Sequence, residues 1–232
     1  MARRSKTRAR AVLATLLATA AAVALGGLPE AAPQGAPVAE PATVPVEATP
    51  KAAADDAENP SFSFDDGSRE PHARFSELDG HLRCGPVFAV LDAAHMGSGE
   101  RPDISSVKPS GWRQKRYDSI GDGGWLYNRC HLLGDQLWND DTANWRNLIT
   151  GTRQMNVEGM LPVENEVADH LRSTGHLVMY QVTPVFEGDE ALCRAVRMEA
   201  ECTSGDLAID ETVQNTQEGI AIDYADGSSR KA

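Results

Sequence analysis

The chain has 232 residues, of which 41% are hydrophobic and 24% are charged, and its formal net charge is −12 at pH 7. This acidic balance excludes a protein that coats nucleic acid through bulk positive charge, because such binding needs many Lys and Arg contacts to phosphate. The length and apolar content allow one domain with a hydrophobic core, and the sequence shows no internal repeat.

The first segment has the pattern of an export leader. Five basic residues stand within the first ten positions, an uncharged apolar run occupies residues 11–28, and small residues lie near Ala22 and Ala24. This order favours a cleaved secretory signal peptide over residues 1–31. The alternative is an uncleaved membrane anchor, since the run is nearly long enough to span a bilayer. With cleavage, we expect a secreted, extracellular protein without stable membrane association.

Residues 32–70 are rich in Ala, Pro, Glu and Val and lack apolar periodicity, which predicts a disordered linker. Residues 71–232 are then the predicted domain. Without the leader, 22 − 5 = 17 basic side chains face 34 − 1 = 33 acidic ones. The basic residues concentrate between Arg101 and Arg153. Local basic surface on an acidic body suits an enzyme that takes up and releases a polyanion, although a solvated strand would carry the same charges.

Four cysteines in an exported chain predict two disulfides. A predicted strand separates Cys193 from Cys202 and, if continuous, holds them roughly 30 Å apart, too far to bond. A Cys84–Cys130 bond would leave those two as the second pair unless the strand bends, so the connectivity stays open. Cys130 next to His131 could indicate zinc, but no CxxC or HxxxH set accompanies them, so zinc is not favoured there.

The first half of the domain reads as turns and strands. Residues 75–83 predict a short helix or turn, and Val87 to Leu91 predict a strand. Residues 112–120 and 125–131 predict a hairpin around the Gly-rich turn at 121–124. Because residues two apart on a strand share a face, the second strand would present Arg129 and His131 together.

The second half predicts a helix and further strands. After a loop at 132–145, residues 150–156 predict a short helix, and a longer helix begins at Pro162 and ends at Gly175. Alternation then predicts a hairpin from residues 177–186 and 191–200, followed by strands within 207–215 and 219–224. The predicted fold class is α+β, with an antiparallel sheet beside a strand–strand–helix unit.

The residues between the predicted hairpin and the long helix could carry phosphodiester chemistry. A histidine such as His131 titrates near neutral pH and can act as a base. An amide oxygen such as that of Asn156 suits a hard cation, and the guanidinium of Arg129 matches phosphate oxygens. By residue type alone this is a weak signal, because a lone His is commonly structural and Asn commonly bonds locally.

The spacing is more specific. NRCH at 128–131, WRNLITGTRQMN at 145–156 and GMLPVENEV at 159–167 together resemble the DNA/RNA non-specific endonuclease family, in the branch of the bacterial DNA-entry nucleases. In that family, Asp-Arg-Gly-His is followed by an Asn, a second Asn nine positions later, and a Glu eight positions after that. Here Asn147, Asn156 and Glu164 have the same spacing, since 156 − 147 = 9 and 164 − 156 = 8.

The resemblance implies a ββα-metal (His-Me finger) fold and a role for each matching residue. His131 matches the general base, Asn156 the metal ligand, and Glu164 the carboxylate that orients water at the metal. Asn147 matches a supporting amide, and Arg129 the arginine near the substrate phosphate. The implied protein is a monomeric, sequence-non-specific endonuclease that cuts DNA, with RNA as a further candidate, and leaves 5′-phosphates. The implied cofactor is Mg²⁺, with Mn²⁺ as the alternative.

Two positions depart from the family motif. Asn128 replaces Asp and removes a negative charge near His131, and Cys130 replaces Gly and adds a side chain. Because base and ligand are retained, we expect an active enzyme. The alternative is an inactive, disulfide-stabilised exported protein that binds nucleic acid on the same scaffold. The remaining histidines are expected to be surface or packing residues; they are His72, His81, His95, His170 and His176.

Overall fold

The computed structural model describes residues 62–99 and 102–232. The predicted signal peptide and most of the predicted linker therefore lie outside the described residues. Within the described part, no helix combines the length and the apolar character needed to cross a membrane.

The described chain forms nine strands, one π-helix and one α-helix. In chain order they are β1 (His72–Phe75), β2 (Val87–Leu91), β3 (Tyr127–His131), β4 (Leu148–Thr152), the π-helix (Met155–Met160), α1 (Leu161–Thr174), β5 (Val178–Val185), β6 (Ala195–Cys202), β7 (Ala208–Gln214), β8 (Ile220–Ile222) and β9 (Ser229–Lys231).

A five-stranded antiparallel sheet in the order β1-β2-β5-β6-β7 supports the molecule. All five residues of β2 are buried, and the β5–β6 pairing runs from Val178↔Cys202 to Val185↔Ala195. Helix α1 buries Val163, Val167 and Leu171 in the same core as the inner face of this sheet. Each such side chain contributes roughly 1.5–3 kcal/mol when fully buried. The predicted α+β class, the β5–β6 hairpin and helix α1 are confirmed.

The strand–strand–helix unit is present, but its strands differ from the prediction. β3 pairs with β4 rather than with residues 112–120, which join residues 125–131 through one isolated bridge, Arg116↔Trp125. The predicted helix at 150–156 is wrong for residues 150–152, which belong to β4, whereas residues 153–156 are helical. All of β4 is buried, and its β-branched Ile149 and Thr150 favour an extended backbone. Burial of β4 therefore decides the pairing.

The packed region also begins earlier than the predicted boundary at residue 71. Phe62 is buried, and its ring centroid lies 5.9 Å from that of Phe88 on β2. Phe75 ends β1, and residues 76–83 form a loop with a turn rather than a helix; in it the Asp79 carboxylate accepts the backbone N–H groups of His81 and Arg83. The end of the predicted linker is thus part of the domain, because its aromatic side chains cover one face of the sheet.

The structure contradicts the two predicted disulfides, since all four cysteines are free and buried. The thiol of Cys84 instead lies 3.3 Å from the Leu148 carbonyl oxygen, and β6 is an extended strand that separates Cys193 from Cys202. Burial raises the pKa of Cys84 and Cys193 to about 12 and raises the pKa of Cys130 well above the usual range. These three thiols are therefore packing groups with little thiolate character.

The C-terminal end of α1 has a glycine in the left-handed backbone conformation, and substitution can test whether this glycine stabilises the helix end. Gly175 caps the helix with φ of 69°, where an L side chain is strained although no atom lies within 4 Å of the point that a Cβ would occupy. Gly175→Ala should lower the free energy of unfolding by roughly 1 kcal/mol in urea denaturation. Gly80→Ala is the matched control, because Gly80 is equally open and lies outside the left-handed region. We expect it to be neutral or slightly stabilising. Equal effects of the two variants would contradict the capping role.

Candidate active site

One groove brings together four of the five predicted site residues. Arg129 and His131 come from β3, Asn156 from the π-helix and Glu164 from the first turn of α1. The groove has a volume of about 870 Å³, and residues from the loops at 102–104 and 134–136 complete its walls. The ββα unit thus brings residues that are separated along the chain onto one surface.

His131 stands at the end of β3 beside a carboxylate that the sequence analysis missed. Its Nε2 lies 3.7 Å from Oδ1 of Asp135, and both side chains are 16% exposed. Asp135 also accepts a hydrogen bond from the Thr142 hydroxyl, which holds the carboxylate in place. A negative charge at this distance stabilises a protonated imidazole. The expectation that the Asn128 replacement leaves His131 without a nearby carboxylate is therefore wrong.

Asn156 and Glu164 lie on consecutive helical segments that meet without a break. The N–H of Leu161 donates to the carbonyl of Asn156, so the π-helix passes directly into α1. Glu164 lies in the first turn of α1, within this continuous helical segment. Gly134 permits close approach of the facing loop, because a Cβ atom there would lie 3.1 Å from Glu164 Oε2.

The loop facing Glu164 adds a further polar group to the groove. The amide of Gln136 lies 3.4 Å from Glu164 Oε2, and Gln136 lines the groove, although the sequence analysis did not single it out. Together, the side chains of Asn156, Glu164 and Asp135 supply amide and carboxylate oxygens around one wall. A donor set of this kind fits a hard divalent cation such as Mg²⁺ better than a soft one.

Asn147 does not line the groove. It is fully buried, accepts a hydrogen bond from the Leu133 N–H at 2.8 Å, and donates to the carbonyls of Leu133 and Thr142 at 2.9 Å. These bonds tie the start of the loop between β3 and β4 to its end. Asn147 therefore positions Asp135 and the rest of that loop from within the core, with no path to a substrate phosphate.

Arg129 lines the groove and also holds one of its walls. Its guanidinium donates to the Ser105 carbonyl at 2.7 Å and to the Val107 carbonyl, and it lies 4.3 Å from the centroid of the Trp112 ring. The side chain thus fixes the loop at 104–107 against β3. Part of its hydrogen-bonding capacity is used within the protein, which limits the number of donors it can present to phosphate.

Cys130 faces away from the groove. It is fully buried, and a Cβ atom at Gly151 on β4 would lie 2.4 Å from its Sγ. Alternation along β3 places this side chain in the core while Arg129 and His131 line the groove. The replacement of the motif Gly by Cys130 is accommodated by Gly151, which lies diagonally across on β4, two residues from the Cys130 partner Ile149.

Aromatic and basic side chains form the outer edge of the groove. Trp125 is 47% exposed, and the Arg116 guanidinium lies 4.9 Å from its ring centroid. Arg153, just after β4, also lines the groove and pairs with Asp122. Trp138 is buried, whereas Trp125 and Trp145 are exposed. Exposed aromatic and basic groups of this kind can contact bases and phosphates without reading sequence.

Comparison with known proteins agrees with this geometry. The profile of the DNA/RNA non-specific endonuclease family matches residues 66–204. The chain belongs to this family. A deoxyribonuclease of Streptococcus dysgalactiae subsp. equisimilis is 28% identical over an alignment of 196 residues, and the match covers 66% of this chain and 59% of the relative. The chain thus spans less than two thirds of that relative's length.

Two solved structures share the fold. NucA from Streptococcus agalactiae, with magnesium bound, has a TM-score of 0.65 and 22% identity over 72% of this chain and 82% of its own. The Sda1 nuclease, with a zinc ion bound, has a TM-score of 0.61 and 28% identity over 69% of this chain and 81% of its own. The predicted family and the ββα-metal fold class are confirmed.

The buried hydrogen bonds of Asn147 predict that this residue stabilises the fold and does not take part in the reaction. Asn147→Ala leaves the Leu133 N–H and two carbonyls without their partner, so the free energy of unfolding should fall by about 3 kcal/mol. Chemical denaturation measures this, with the exposed Asn139→Ala as control. A variant that keeps full stability but loses nuclease activity would contradict the positioning role and place Asn147 in the chemistry.

Proposed function

We propose that this protein is an exported, metal-dependent endonuclease that hydrolyses phosphodiester bonds of DNA without sequence specificity. The observation that carries the proposal is the convergence of His131, Asn156 and Glu164 on one groove in a chain of this family. The leader pattern at residues 1–31 supports export. RNA is a second candidate substrate, because the proposed residues act on the phosphodiester linkage, which DNA and RNA share.

The oxygen donors of the groove indicate how a cation would be held. The amide oxygen of Asn156 is the proposed direct ligand of Mg²⁺ or Mn²⁺, with the carboxylate of Glu164 orienting water beside it. When bound, such a cation neutralises charge on the phosphate and on the departing oxygen. The magnesium and zinc named in the two related structures support a divalent ion of this kind.

His131 is the proposed general base. It removes a proton from the attacking water, whose oxygen forms a new bond to phosphorus while the bond from phosphorus to O3′ breaks. The departing O3′ takes a proton from solvent water and His131 later releases its proton to solvent, so the products are a 5′-phosphate and a 3′-hydroxyl. Asp135, 3.7 Å from the imidazole, stabilises the positive charge that His131 gains in this step. Arg129 and Arg153 line the groove, and they are the proposed contacts for the substrate phosphates.

The distribution of charge suits an enzyme that binds and releases a polyanion. We propose that the enzyme acts as a monomer. Basic groups lie along the groove, whereas the residues after Arg153 are predominantly acidic. Local attraction guides the polyanion to the groove, and the acidic remainder limits non-productive binding elsewhere. The inactive alternative is not favoured, because base, amide and carboxylate share the groove and Cys130 lies outside it.

Removal of the base or of the ligand should abolish cleavage. His131→Ala should lower kcat by about 10²- to 10⁴-fold in a plasmid assay with Mg²⁺, because the proton acceptor is lost. Asn156→Ala should lose cleavage activity because the cation is no longer bound, and Glu164→Gln should reduce cleavage activity less.

His81→Ala is the control for these variants, since His81 pairs with Asp189 away from the groove. EDTA should stop cleavage, and parallel DNA and RNA substrates define the preference. Cleavage by His131→Ala at the wild-type rate would refute the proposal.

The Asp135 carboxylate should affect turnover rather than binding. Asp135→Asn keeps the shape of the side chain but removes the charge that stabilises protonated His131. We expect kcat to fall about tenfold, equivalent to about 1.4 kcal/mol in the barrier, with KM for DNA nearly unchanged. Asp140→Asn, an exposed acid in the same loop, serves as the charge-matched control. A rise in KM at constant kcat would instead assign Asp135 to substrate binding.

A further inference from the structure

Four side chains with metal-binding atoms lie close together near the C-terminal end of α1, the helix that carries Glu164. His170 belongs to the last turns of α1, His176 to the loop before β5, Cys202 to the end of β6 and Asp206 to the turn before β7. One ligand atom from each lies within 4.8 Å of every other. From the sequence alone, both histidines are expected to be surface or packing residues. The fold brings them together because β5 and β6 pair Val178 with Cys202.

The distances within this cluster are those of a preformed ligand set. His170 Nε2 lies 3.4 Å from Asp206 Oδ1, and His176 Nδ1 lies 3.3 Å from Asp206 Oδ2. Ligand atoms around a tetrahedral zinc ion lie roughly 3.3–3.7 Å apart, given metal–ligand bonds of about 2.0–2.3 Å. A small contraction of the wider pairs would therefore complete a tetrahedral site.

His170 is the observation that points to a ligand. Its side chain is 10% exposed, and within residues 62–99 and 102–232 its buried Nε2 has no hydrogen-bond partner. A buried ring nitrogen without such a bond is costly unless something else satisfies it. Cys202 is also buried, and its Sγ lies 3.0 Å from the Ser204 hydroxyl, which in turn lies 2.9 Å from His176 Nδ1. The His170 Nε2, which faces Asp206 Oδ1 at 3.4 Å without a hydrogen bond, thus lies within 4.8 Å of the Cys202 thiol and of the Asp206 carboxylate.

We propose that His170, His176, Cys202 and Asp206 form a zinc-binding site that is separate from the nuclease groove. Two imidazole nitrogens, one thiolate and one carboxylate oxygen match the borderline character of Zn²⁺, whereas Mg²⁺ prefers oxygen ligands alone. The four protein ligands fill a tetrahedral shell, which is typical of a structural site rather than a catalytic one. This assignment also gives Cys202 a function without a disulfide.

The position of the site defines what zinc would do. His170 lies six residues after Glu164 on α1, about 9 Å along the helix axis. Zinc would join the C-terminal end of α1 to the end of β6 and the following turn. A cation there also complements the negative end of the helix dipole. The ion therefore stabilises the helix on which Glu164 is placed, without contact with the substrate.

Metal binding to the full chain tests this proposal. The purified protein is stripped with chelator, dialysed against Zn²⁺ in excess Mg²⁺ and analysed for bound metal, and its melting temperature is measured with and without Zn²⁺. Co²⁺ substitution reports the ligands directly, because a cobalt–thiolate bond gives a charge-transfer band and tetrahedral Co²⁺ gives intense visible bands. We expect one Zn²⁺ that survives excess Mg²⁺, a higher melting temperature with zinc, and a cobalt–thiolate band.

Matched variants separate this site from the nuclease groove. Cys202→Ser should remove the thiolate band, and His176→Gln should weaken zinc binding roughly 100-fold or more. His176 is about half exposed, so its replacement leaves the core intact and misfolding cannot mimic the result. His81→Gln, a half-exposed histidine paired with an aspartate elsewhere, and the groove variant Asn156→Ala should both retain the band.

Two results would overturn the proposal. One is the absence of stoichiometric zinc and of a cobalt–thiolate band in the wild-type chain. The other is zinc binding that persists in Cys202→Ser and His176→Gln but disappears in Asn156→Ala, which would assign the ion to the groove.

Discussion

The antiparallel pairing of β3 with β4 is the constraint on which the candidate active site depends. His131 stands opposite Leu148, and the Leu132 N–H continues the ladder by donating to the Asn147 carbonyl at 2.9 Å. Because β4 leads within a few residues into the π-helix and α1, this register sets the positions of Asn156 and Glu164 relative to His131. The same alternation places Cys130 in the core. A shift of one residue would exchange these faces and remove His131 from the groove.

The loop between β3 and β4 adds a charged and a polar side chain to this site. Asn147 pins the loop from inside the core, and the loop then carries Asp135 to His131 and Gln136 to Glu164. Position 128 carries an amide, and Asp135 in this loop places a carboxylate 3.7 Å from the His131 imidazole.

Helix α1 connects two sites of different chemical character. Its N-terminal turn presents Glu164 beside amide and carboxylate oxygens, a set that suits a hard cation. Its C-terminal turns present His170 to a second imidazole, a thiol and a carboxylate, a set that suits zinc. Because ligand type governs metal preference, the proposed zinc site and the proposed groove site are expected to select different ions.

Local pattern in the sequence determined the family spacing of His131, Asn147, Asn156 and Glu164, the helix that ends at Gly175, and the β5–β6 hairpin. These features follow from neighbouring residues, through helix capping, alternation and apolar periodicity. Only the tertiary structure decided the partner of β3, the free state of the cysteines and the burial of Asn147. It also decided the approach of Asp135 to His131 and the grouping of His170 with Asp206. Those outcomes depend on which residues distant in sequence share a core, and burial across the whole fold selects among pairings that look equivalent along the chain.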